Sequence, residues 1–262
     1  MMAGQIRYDD GAAYERMMGK WSQLAGAIFL DWLSLPSGRR WLDVGCGNGA
    51  FTEMVIARCA PAEIQGIDPS EAQIAFARTR AAARMADFRL GDAMALPYAD
   101  DVFDIAVMAL VIFFVPVPAQ GVAEMVRVVR PGGAIAAYAW DILGGGWPME
   151  AMATEMRALG VTPLLPPSVE ASTLNAMRAL WTSAGLAAVE TTAITVHRTF
   201  ADFDDLWATS CMAPTVAPKI AAMAPDDVDL LKTGLRARLP ADASGRITYS
   251  ARANAVKGRV PA

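Results

Sequence analysis

The stretch WLDVGCGNGAF, residues 41–51, joins a short apolar run to three glycines at alternate positions. The run 41–45 predicts a buried β-strand, with Asp43 inside it. Gly45, Gly47 and Gly49 predict a sharp turn into a helix, because glycine adopts backbone conformations that a Cβ disfavours. Such a loop can bring its backbone close to a ligand. A tight strand-to-helix turn that binds nothing is the simpler alternative.

The sequence around this stretch alternates between apolar strand patterns and helical patterns from residue 39 to about residue 141. This alternation predicts βαβ units and a parallel sheet with helices on both faces, a doubly wound α/β fold of Rossmann-like type. Pro131-Gly132-Gly133 predicts a turn. The predicted strands are 41–45, 64–68, 87–90, 104–110 and 134–140, and the predicted helices lie at about 49–59, 70–82 and 119–129.

The flanking segments extend this prediction to a seven-stranded, mostly parallel sheet. Residues 187–197 read as a strand, and ITYSARANAVKG, from Ile247, alternates as a half-buried strand that we expect to be antiparallel and last. Ser172 and Asp202 are candidate helix caps. We expect one domain over 1–262, made of a helical segment 1–35, a cofactor-binding core 36–142, helical cap inserts 143–170 and 200–240, and segments 171–199 and 241–262 that complete the sheet.

The composition excludes several classes of protein. Of 262 residues, 54% are hydrophobic and 19% charged, which predicts a globular chain with ample core. The net charge is −4 and no Lys/Arg run is present, so a nucleic-acid substrate is disfavoured. No apolar run is long enough to span a membrane, and the polar N-terminus does not resemble a signal peptide. Three scattered cysteines without a CxxC pair and one histidine predict a cytoplasmic location and no metal site.

Two further carboxylates follow predicted strands and suggest what the loop binds. Asp68 ends the second strand, where it can accept hydrogen bonds from both hydroxyls of a ribose. Asp92 ends the third strand, where it can accept from an exocyclic amine, while the amide of Ala93 can donate to a ring nitrogen. Together they predict an adenosine site.

Two ligands carry an adenosine in this way, and the glycine spacing alone does not separate them. GCGNGA also fits the dinucleotide fingerprint of NAD(P)-dependent oxidoreductases. Gly49 removes a side chain at the helix start, and Asp43 suits an ammonium or sulfonium group while repelling a pyrophosphate. There is also no Tyr-x-x-x-Lys pair for hydride transfer. These features favour S-adenosylmethionine, and the oxidoreductase stays as the alternative.

Four motifs, in their order along the chain, resemble those of the class I S-adenosylmethionine-dependent methyltransferases. They are similar to the ubiquinone and menaquinone biosynthesis methyltransferase group, which is methyltransferase type 11-like. They are WLDVGCGNGAF, GIDPS, GDAMALPYADDVFD and RVVRPGG, over about residues 40–133, with YERMMGKWS as a weaker match. The resemblance implies that the methionine end of the cofactor is held by Asp43, Gly45, Cys46, Gly47 and Gly49, the ribose by Asp68, and the adenine by Ile67, Pro69, Ser70, Asp92 and Ala93. Ala109 and Leu110 would border the methionine and the substrate.

Methyl transfer from a sulfonium needs mainly alignment and exclusion of water, so the active site need not show a catalytic signature. Trp140 and Asp141, which end the fifth strand, and His197 are the catalytic candidates. Phe113, Phe114 and Trp147 would line the acceptor site, and Lys20 is a weaker candidate for the cofactor carboxylate. We expect a small-molecule acceptor, and the sequence does not indicate whether its O, N, C or S atom is methylated. A homodimer is possible. A non-catalytic cofactor-binding protein stays as an alternative function.

Overall fold

The computed structural model describes residues 15–262, so the polar start of the chain and Tyr14 of YERMMGKWS lie outside the described residues. A π-helical turn, Glu15–Gly19, leads directly into helix α1, Lys20–Leu33. The buried face of α1 carries Trp21, Ala25 and Phe29. The buried residues recur every three to four positions, which is the period of an amphipathic helix that packs on a sheet.

Seven strands form one sheet in the order β3-β2-β1-β4-β5-β7-β6. All strand pairs from β3 to β5 are parallel, and β7 pairs antiparallel with both β5 and β6. The predicted doubly wound sheet and its antiparallel last strand are therefore confirmed. The strands are β1 Arg40–Val44, β2 Glu63–Asp68, β3 Asp87–Leu90, β4 Phe103–Ala109, β5 Val129–Trp140, β6 Ala187–Phe200 and β7 Ile247–Arg259.

The remaining helices follow the alternation that the sequence predicts. Helices α2 to α4 connect strands of the parallel part, α6 precedes β6, and α5 and α7 to α9 lie in the two predicted cap inserts. They are α2 Ala50–Cys59, α3 Glu71–Ala77, α4 Pro118–Val128, α5 Glu150–Ala158, α6 Leu174–Ser183, α7 Phe203–Ser210, α8 Ala217–Ala221 and α9 Pro225–Arg238, with 3₁₀ turns at Ala81–Arg84, Ile112–Phe114 and Val169–Ser172.

Strand β5 begins earlier than predicted, because Pro131-Gly132-Gly133 does not end the preceding helix in a free turn. The pairing of β4 with β5 shifts between Phe103↔Val129 and Ile105↔Ala134. The extra residues bulge from the strand, Gly132 has a φ of 76°, and its N–H donates to the carbonyl of Val260 beyond β7. The turn residues thus make a bulge that keeps its backbone hydrogen bonds.

Two helices have side-chain caps at or next to the polar residues that the sequence predicts as caps. Asp202 caps α7, since its Oδ1 accepts from the N–H of Asp205 at 2.8 Å, as predicted. The prediction that Ser172 caps the next helix, α6, is wrong by one residue. The Thr173 hydroxyl accepts from the N–H of Ala176, whereas the Ser172 hydroxyl donates to the carbonyl of Val169 in the preceding 3₁₀ turn.

Helices from the two cap inserts pack against each other. The guanidinium of Arg238 in α9 meets the carboxylate of Glu155 in α5 at 2.7 Å, and Gly234 lets that carboxylate lie against α9. Within residues 15–262, no helix is long and apolar enough to cross a bilayer.

Candidate functional site

The glycine loop turns where the sequence predicts, at the carboxyl end of β1. Gly45, Gly47 and Gly49 have φ values of 77°, 52° and 79°, in the left-handed region that favours glycine. The loop is fixed to the neighbouring strand, because the N–H groups of Gly45 and Cys46 both donate to the carbonyl of Ile67.

The three glycines serve different purposes. A Cβ at Gly45 would lie 2.5 Å from Cγ2 of Val111, and one at Gly49 would lie 3.1 Å from the side chains of Ala77 and Phe88. A Cβ at Gly47 would meet no atom within 4 Å. Of the three glycines, therefore, only Gly47 leaves open space for a ligand, while the other two make room for the protein itself.

Asp43 is buried and faces the cavity above the loop. Its Oδ2 accepts a hydrogen bond from the hydroxyl of Thr52 at 2.6 Å, whereas its Oδ1 has no hydrogen-bond partner among residues 15–262. Burial raises the pKa of Asp43 to about 7, against the lowering effect of the Thr52 hydrogen bond. A buried carboxylate oxygen without a donor is the feature that a cationic ligand would satisfy.

Asp68 ends β2 and faces the same cavity. Its Oδ2 accepts from the N–H of Gly47 and its Oδ1 from the N–H of Ser70, both at 2.9 Å. Burial raises its pKa, and the two backbone donors oppose that rise. Each carboxylate oxygen can accept a second hydrogen bond, so Asp68 can still bind two ligand hydroxyls.

The structure does not bring Asp92 and Ala93 to the cavity. Asp92 is exposed, and its Oδ1 accepts from the N–H of Met94 at 2.8 Å in a tight turn closed by Ala95. The turn uses this carboxylate locally, which explains its orientation. Of the other residues predicted to bind the cofactor, Cys46, Pro69, Ser70, Ala109 and Leu110 line the cavity, whereas Ile67 is buried and packs against Gly91.

Cys46 lines the cavity, but its thiol is not a reactive thiolate. Burial, together with the negative charges of Asp43 and Asp68, raises its pKa well above the ordinary value for a thiol. A thiol that stays protonated is a poor nucleophile.

The cavity has a volume of about 1270 Å³ and extends from the loop towards the end of β5 and the cap segments. Phe113, Phe114 and Trp147, which the sequence assigned to the acceptor site, line it together with the catalytic candidate Trp140. Residues that the sequence did not assign to the site also line it, among them Ser22, Tyr138, Thr215, Glu71, Met17, Met18 and Met149. These elements meet only in the folded chain, so no local motif marks them.

Asp141 and His197, two of the three catalytic candidates, lie outside this lining. Asp141 forms an ion pair with Arg252, whose Nε and Nη2 lie 2.8 and 2.5 Å from its Oδ2, and its Oδ1 accepts from the N–H of Gly144. His197 is exposed on β6, opposite Ser250 of β7. Lys20 is likewise exposed and outside the lining. Within residues 15–262, no three His, Cys, Asp or Glu side chains cluster as metal ligands.

Comparison with known proteins agrees with this geometry. Residues 42–137 match the family described as a methyltransferase domain. The matched range holds the glycine loop, Asp43 and Asp68, and the chain is similar to the class I S-adenosylmethionine-dependent methyltransferases.

Curated methyltransferases are similar over part of their length. The ubiquinone/menaquinone biosynthesis C-methyltransferase UbiE of Dinoroseobacter shibae is 39% identical over 108 residues, which are 40% of this chain and 43% of that protein. The malonyl-[acyl-carrier protein] O-methyltransferase of Methylococcus capsulatus is 32% identical over 181 residues, 62% of this chain and 64% of that protein. The chain thus spans less than two thirds of these methyltransferases.

Solved structures of other proteins share the fold. The YcgJ protein of Bacillus subtilis superposes with a TM-score of 0.61 at 16% identity, over 91% of this chain and 98% of that one. Phosphoethanolamine N-methyltransferase 2 of Haemonchus contortus, in complex with S-adenosyl-L-methionine, gives 0.59 at 18% identity, over 97% and 58%. At these identities the likeness concerns the fold alone.

The residues present fit S-adenosylmethionine, the cofactor of these methyltransferases. The unpartnered Oδ1 of Asp43 suits the ammonium of the methionine end, and the Asp68 carboxylate suits the ribose hydroxyls. Gly47, whose N–H donates to Asp68, leaves open space where a Cβ would lie. Leu110 holds a φ of 63° at the end of β4, fixed by its N–H bond to the carbonyl of Tyr138. Strained backbone of this kind is typical of ligand sites.

Proposed function

We propose that this protein transfers a methyl group from S-adenosylmethionine to a small-molecule acceptor. One observation carries the proposal: Asp43 and Asp68, on neighbouring strands, face a single cavity whose opposite half is aromatic and apolar. The acidic half suits the cofactor and the apolar half suits an acceptor. The match of residues 42–137 supports this function over the oxidoreductase alternative.

When bound, S-adenosylmethionine would supply an activated methyl group for in-line transfer to the acceptor nucleophile, and the electron pair of the broken C–S bond would stay on sulfur. The protein's residues bind and align the two partners and exclude water. Asp43 and Asp68 would hold the ends of the cofactor, and Leu110, Tyr138 and Trp140 would limit the space between the two partners. Alignment and dehydration of this kind supply much of the rate enhancement that such a displacement needs. We also propose a cytoplasmic location, which the three free cysteines support.

Calorimetry with S-adenosylhomocysteine, and with NADH in parallel, tests the cofactor assignment. We expect binding of the first and none of the second. Asp68→Asn should weaken binding by roughly 1.5–3 kcal/mol, as for a lost charge-assisted hydrogen bond. Asp87→Asn is the matched control, because Asp87 is exposed at the opposite end of the neighbouring strand β3. NADH binding without S-adenosylhomocysteine binding would favour the oxidoreductase.

Turnover distinguishes an enzyme from a non-catalytic binding protein. Formation of S-adenosylhomocysteine from S-adenosylmethionine is followed over a panel of small acceptors. Binding that persists without turnover on any acceptor would contradict the catalytic proposal and leave the cofactor assignment standing.

A further inference from the structure

The sheet ends on one side in a long strand. Among the described residues, the fourteen-residue strand β6 pairs with β7 alone, so its other edge is the last of the sheet. The backbone of residues 190–199 makes no hydrogen bond to any described residue outside β7. The opposite edge of the sheet, β3, has only four residues. A long edge strand with free backbone groups is a template on which another strand can pair.

Strand β6 lacks most of the features that keep edge strands apart. Its middle, TTAITV at 191–196, contains no proline, glycine or charged residue and is rich in β-branched residues, which favour strand pairing. The register with β7 shifts between Ala187 and Glu190 and is continuous from there to Phe200. The strand is therefore regular over the whole stretch that a second strand would need.

One charged side chain of β6 has no counter-charge. Arg198 is 8% exposed, and its guanidinium donates to the carbonyl of Met17 at 2.8 Å and lies over the ring of Phe200. It forms no ion pair with a carboxylate of residues 15–262; burial lowers its pKa, and only Asp205 opposes that shift. An inward-pointing charge normally prevents edge pairing, because an incoming strand would remove its remaining hydration. A strand that brings a carboxylate avoids this cost.

The sequence of β6 supplies that carboxylate when two copies pair antiparallel. The strand has one acidic and one basic residue, Glu190 and Arg198, and Ile194 lies midway between them. With a two-fold axis at Ile194, Glu190 of each copy lies opposite Arg198 of the other. The side chain of Glu190 is 61% exposed, with Lys257 at 3.5 Å, so its carboxylate is accessible. The same register places Thr192 opposite Val196, a favourable pair of β-branched residues.

We propose that two copies of this chain associate by antiparallel pairing of β6 with β6, centred on Ile194, to form one sheet continuous across both copies. Glu190 of each copy then neutralises Arg198 of the other. The contact uses the same surface on both copies, so it closes at a dimer. Arg198 also makes the contact selective, since a strand without a carboxylate at this position would leave its charge unpaired. The inference does not depend on the proposed function.

Size-exclusion chromatography with light scattering, together with sedimentation equilibrium, measures the mass of the full chain from about 1 to 200 µM. We expect a monomer–dimer equilibrium with a dissociation constant in the roughly micromolar range, because one strand pair buries less than the roughly 1,200 Å² of a standard interface. A monomer at every concentration, or assembly beyond a dimer, would overturn the inference.

Two double variants test the register. Ala193 and Thr195 are exposed, and each lies opposite the other across the proposed axis. Ala193→Glu with Thr195→Lys adds two pairs of opposite charge and should tighten the dimer by about three- to tenfold. Ala193→Lys with Thr195→Lys places like charges opposite each other and should weaken it by a similar factor. Equal association of the two variants would rule out pairing centred on Ile194.

A single variant tests the ion pair. Glu190→Lys places a second cation opposite Arg198 and should weaken the dimer by at least about tenfold, while thermal unfolding checks that each copy still folds. Glu170→Lys makes the same charge change in the exposed 3₁₀ turn before α6 and is the matched control. Unchanged association of Glu190→Lys, or an equal loss in Glu170→Lys, would contradict the role of Glu190.

Residues 1–14, which lie outside the described residues, are the alternative occupant of this edge. A chain that begins at Glu15 should associate as the full chain does. A dimer that appears only after this shortening would show that the chain's own first residues cover β6, and the proposed pairing would be wrong.

Discussion

The hydroxyl of Thr52 in α2 donates to the carboxylate of Asp43 in β1 across 2.6 Å of buried space. This bond engages one carboxylate oxygen and leaves the other facing the cavity without a partner among the described residues. It also lowers a pKa that burial alone would raise further. The pair thereby adjusts the charge of the site near neutral pH.

The first prediction concerns pH. The pKa of Asp43 is about 7 in the folded protein and 3.8 without its environment, so between these values the folded, ligand-free protein holds a proton that the unfolded chain releases. The free energy of unfolding should therefore fall as pH rises from about 4 to about 7, by up to roughly 4 kcal/mol at 1.36 kcal/mol per pKa unit. Urea titrations across this range measure it, and Asp43→Asn should remove the share due to Asp43, leaving only the share from the raised pKa of Asp68.

Ligand binding should show the opposite trend with pH. The ammonium of S-adenosylhomocysteine favours the charged carboxylate, so affinity should rise as pH increases through 7. Thr52→Val removes the hydrogen bond and should move the midpoint of this profile to higher pH, because the bond lowers the pKa of Asp43. Calorimetry at several pH values gives the midpoint. A profile that Thr52→Val does not move would show that the bond has no such role.

The second prediction separates two glycines of one loop. Gly45→Ala should lower the free energy of unfolding by about 3 kcal/mol, from left-handed strain plus the contact with Val111. Gly47→Ala carries the strain alone, about 1 kcal/mol, but places a methyl group in the open space beside the cavity and should weaken S-adenosylhomocysteine binding. Adding Val111→Ala to Gly45→Ala should restore part of the lost stability. Equal stability losses in the two single variants would contradict the distinction.

The third prediction concerns Arg80, which ties three segments together. Its guanidinium contacts the carbonyl of Asn48 in the glycine loop at 2.6 Å, Glu53 in α2 at 2.8 Å, and Glu15 in the π-helical turn at 2.9 Å. Both glutamates are partly exposed, so these ion pairs contribute little, and the part-buried hydrogen bond to the loop matters more.

Replacement of Arg80 should loosen the loop and the turn together. Arg80→Met should lower stability by about 1.5–3 kcal/mol and speed hydrogen exchange at residues 15–19 and 46–49. Arg80→Lys should not restore protection, because a single ammonium cannot reproduce the three-way fork. Arg89→Met, which loses an exposed pair with Asp87 and a contact with the Tyr98 ring, is the control. Hydrogen exchange that stays at wild-type rates in Arg80→Met would show that Arg80 does not hold the loop and the π-helical turn in place.

The fourth prediction concerns Asp141, whose contacts suggest a structural role in place of the catalytic one predicted from sequence. Asp141→Asn and Arg252→Met should each reduce the free energy of unfolding by about 1–2 kcal/mol, and the double variant by less than the sum, because both remove the same half-exposed pair. Affinity for S-adenosylhomocysteine should change less than twofold, and His197→Gln should leave stability and affinity unchanged. A large loss of affinity in Asp141→Asn alone would restore it as a site residue.

The sequence predicts the sheet well because hydrophobic periodicity and glycines are local signals. Strands β1 to β4 begin and end within one residue of their predicted limits. The positions of Asp43 and Asp68 follow from the strand ends. Asp92 shows the limit of this reasoning, because a carboxylate after a strand can also bond its own turn, as it does with Met94. Ser172 and Thr173 are adjacent and both carry a hydroxyl that can cap a helix. The sequence therefore cannot tell at which of the two residues the helix begins.

The missed site residues have a different explanation. Thr52, Val111 and Tyr138 gain their roles through contacts with Asp43, Gly45 and the backbone of Leu110, each on another element. The side chains that contact Gly45 and Gly49 are likewise distant in sequence and meet these glycines only in the folded chain. A motif indicates that a loop bends, whereas the side chains that fill the space around it depend on tertiary packing.

The position of β7 between β5 and β6 constrains the order in which the molecule can be assembled. A nascent chain that has emerged only as far as residue 246 holds every other strand, yet β5 and β6 cannot join, and each presents unpaired backbone groups. Synthesis of the last thirteen-residue strand closes both gaps at once. Truncation within β7 would therefore expose two unpaired strand edges and favour aggregation. This would happen even though the glycine loop and its carboxylates, some two hundred residues earlier in the chain, are unchanged.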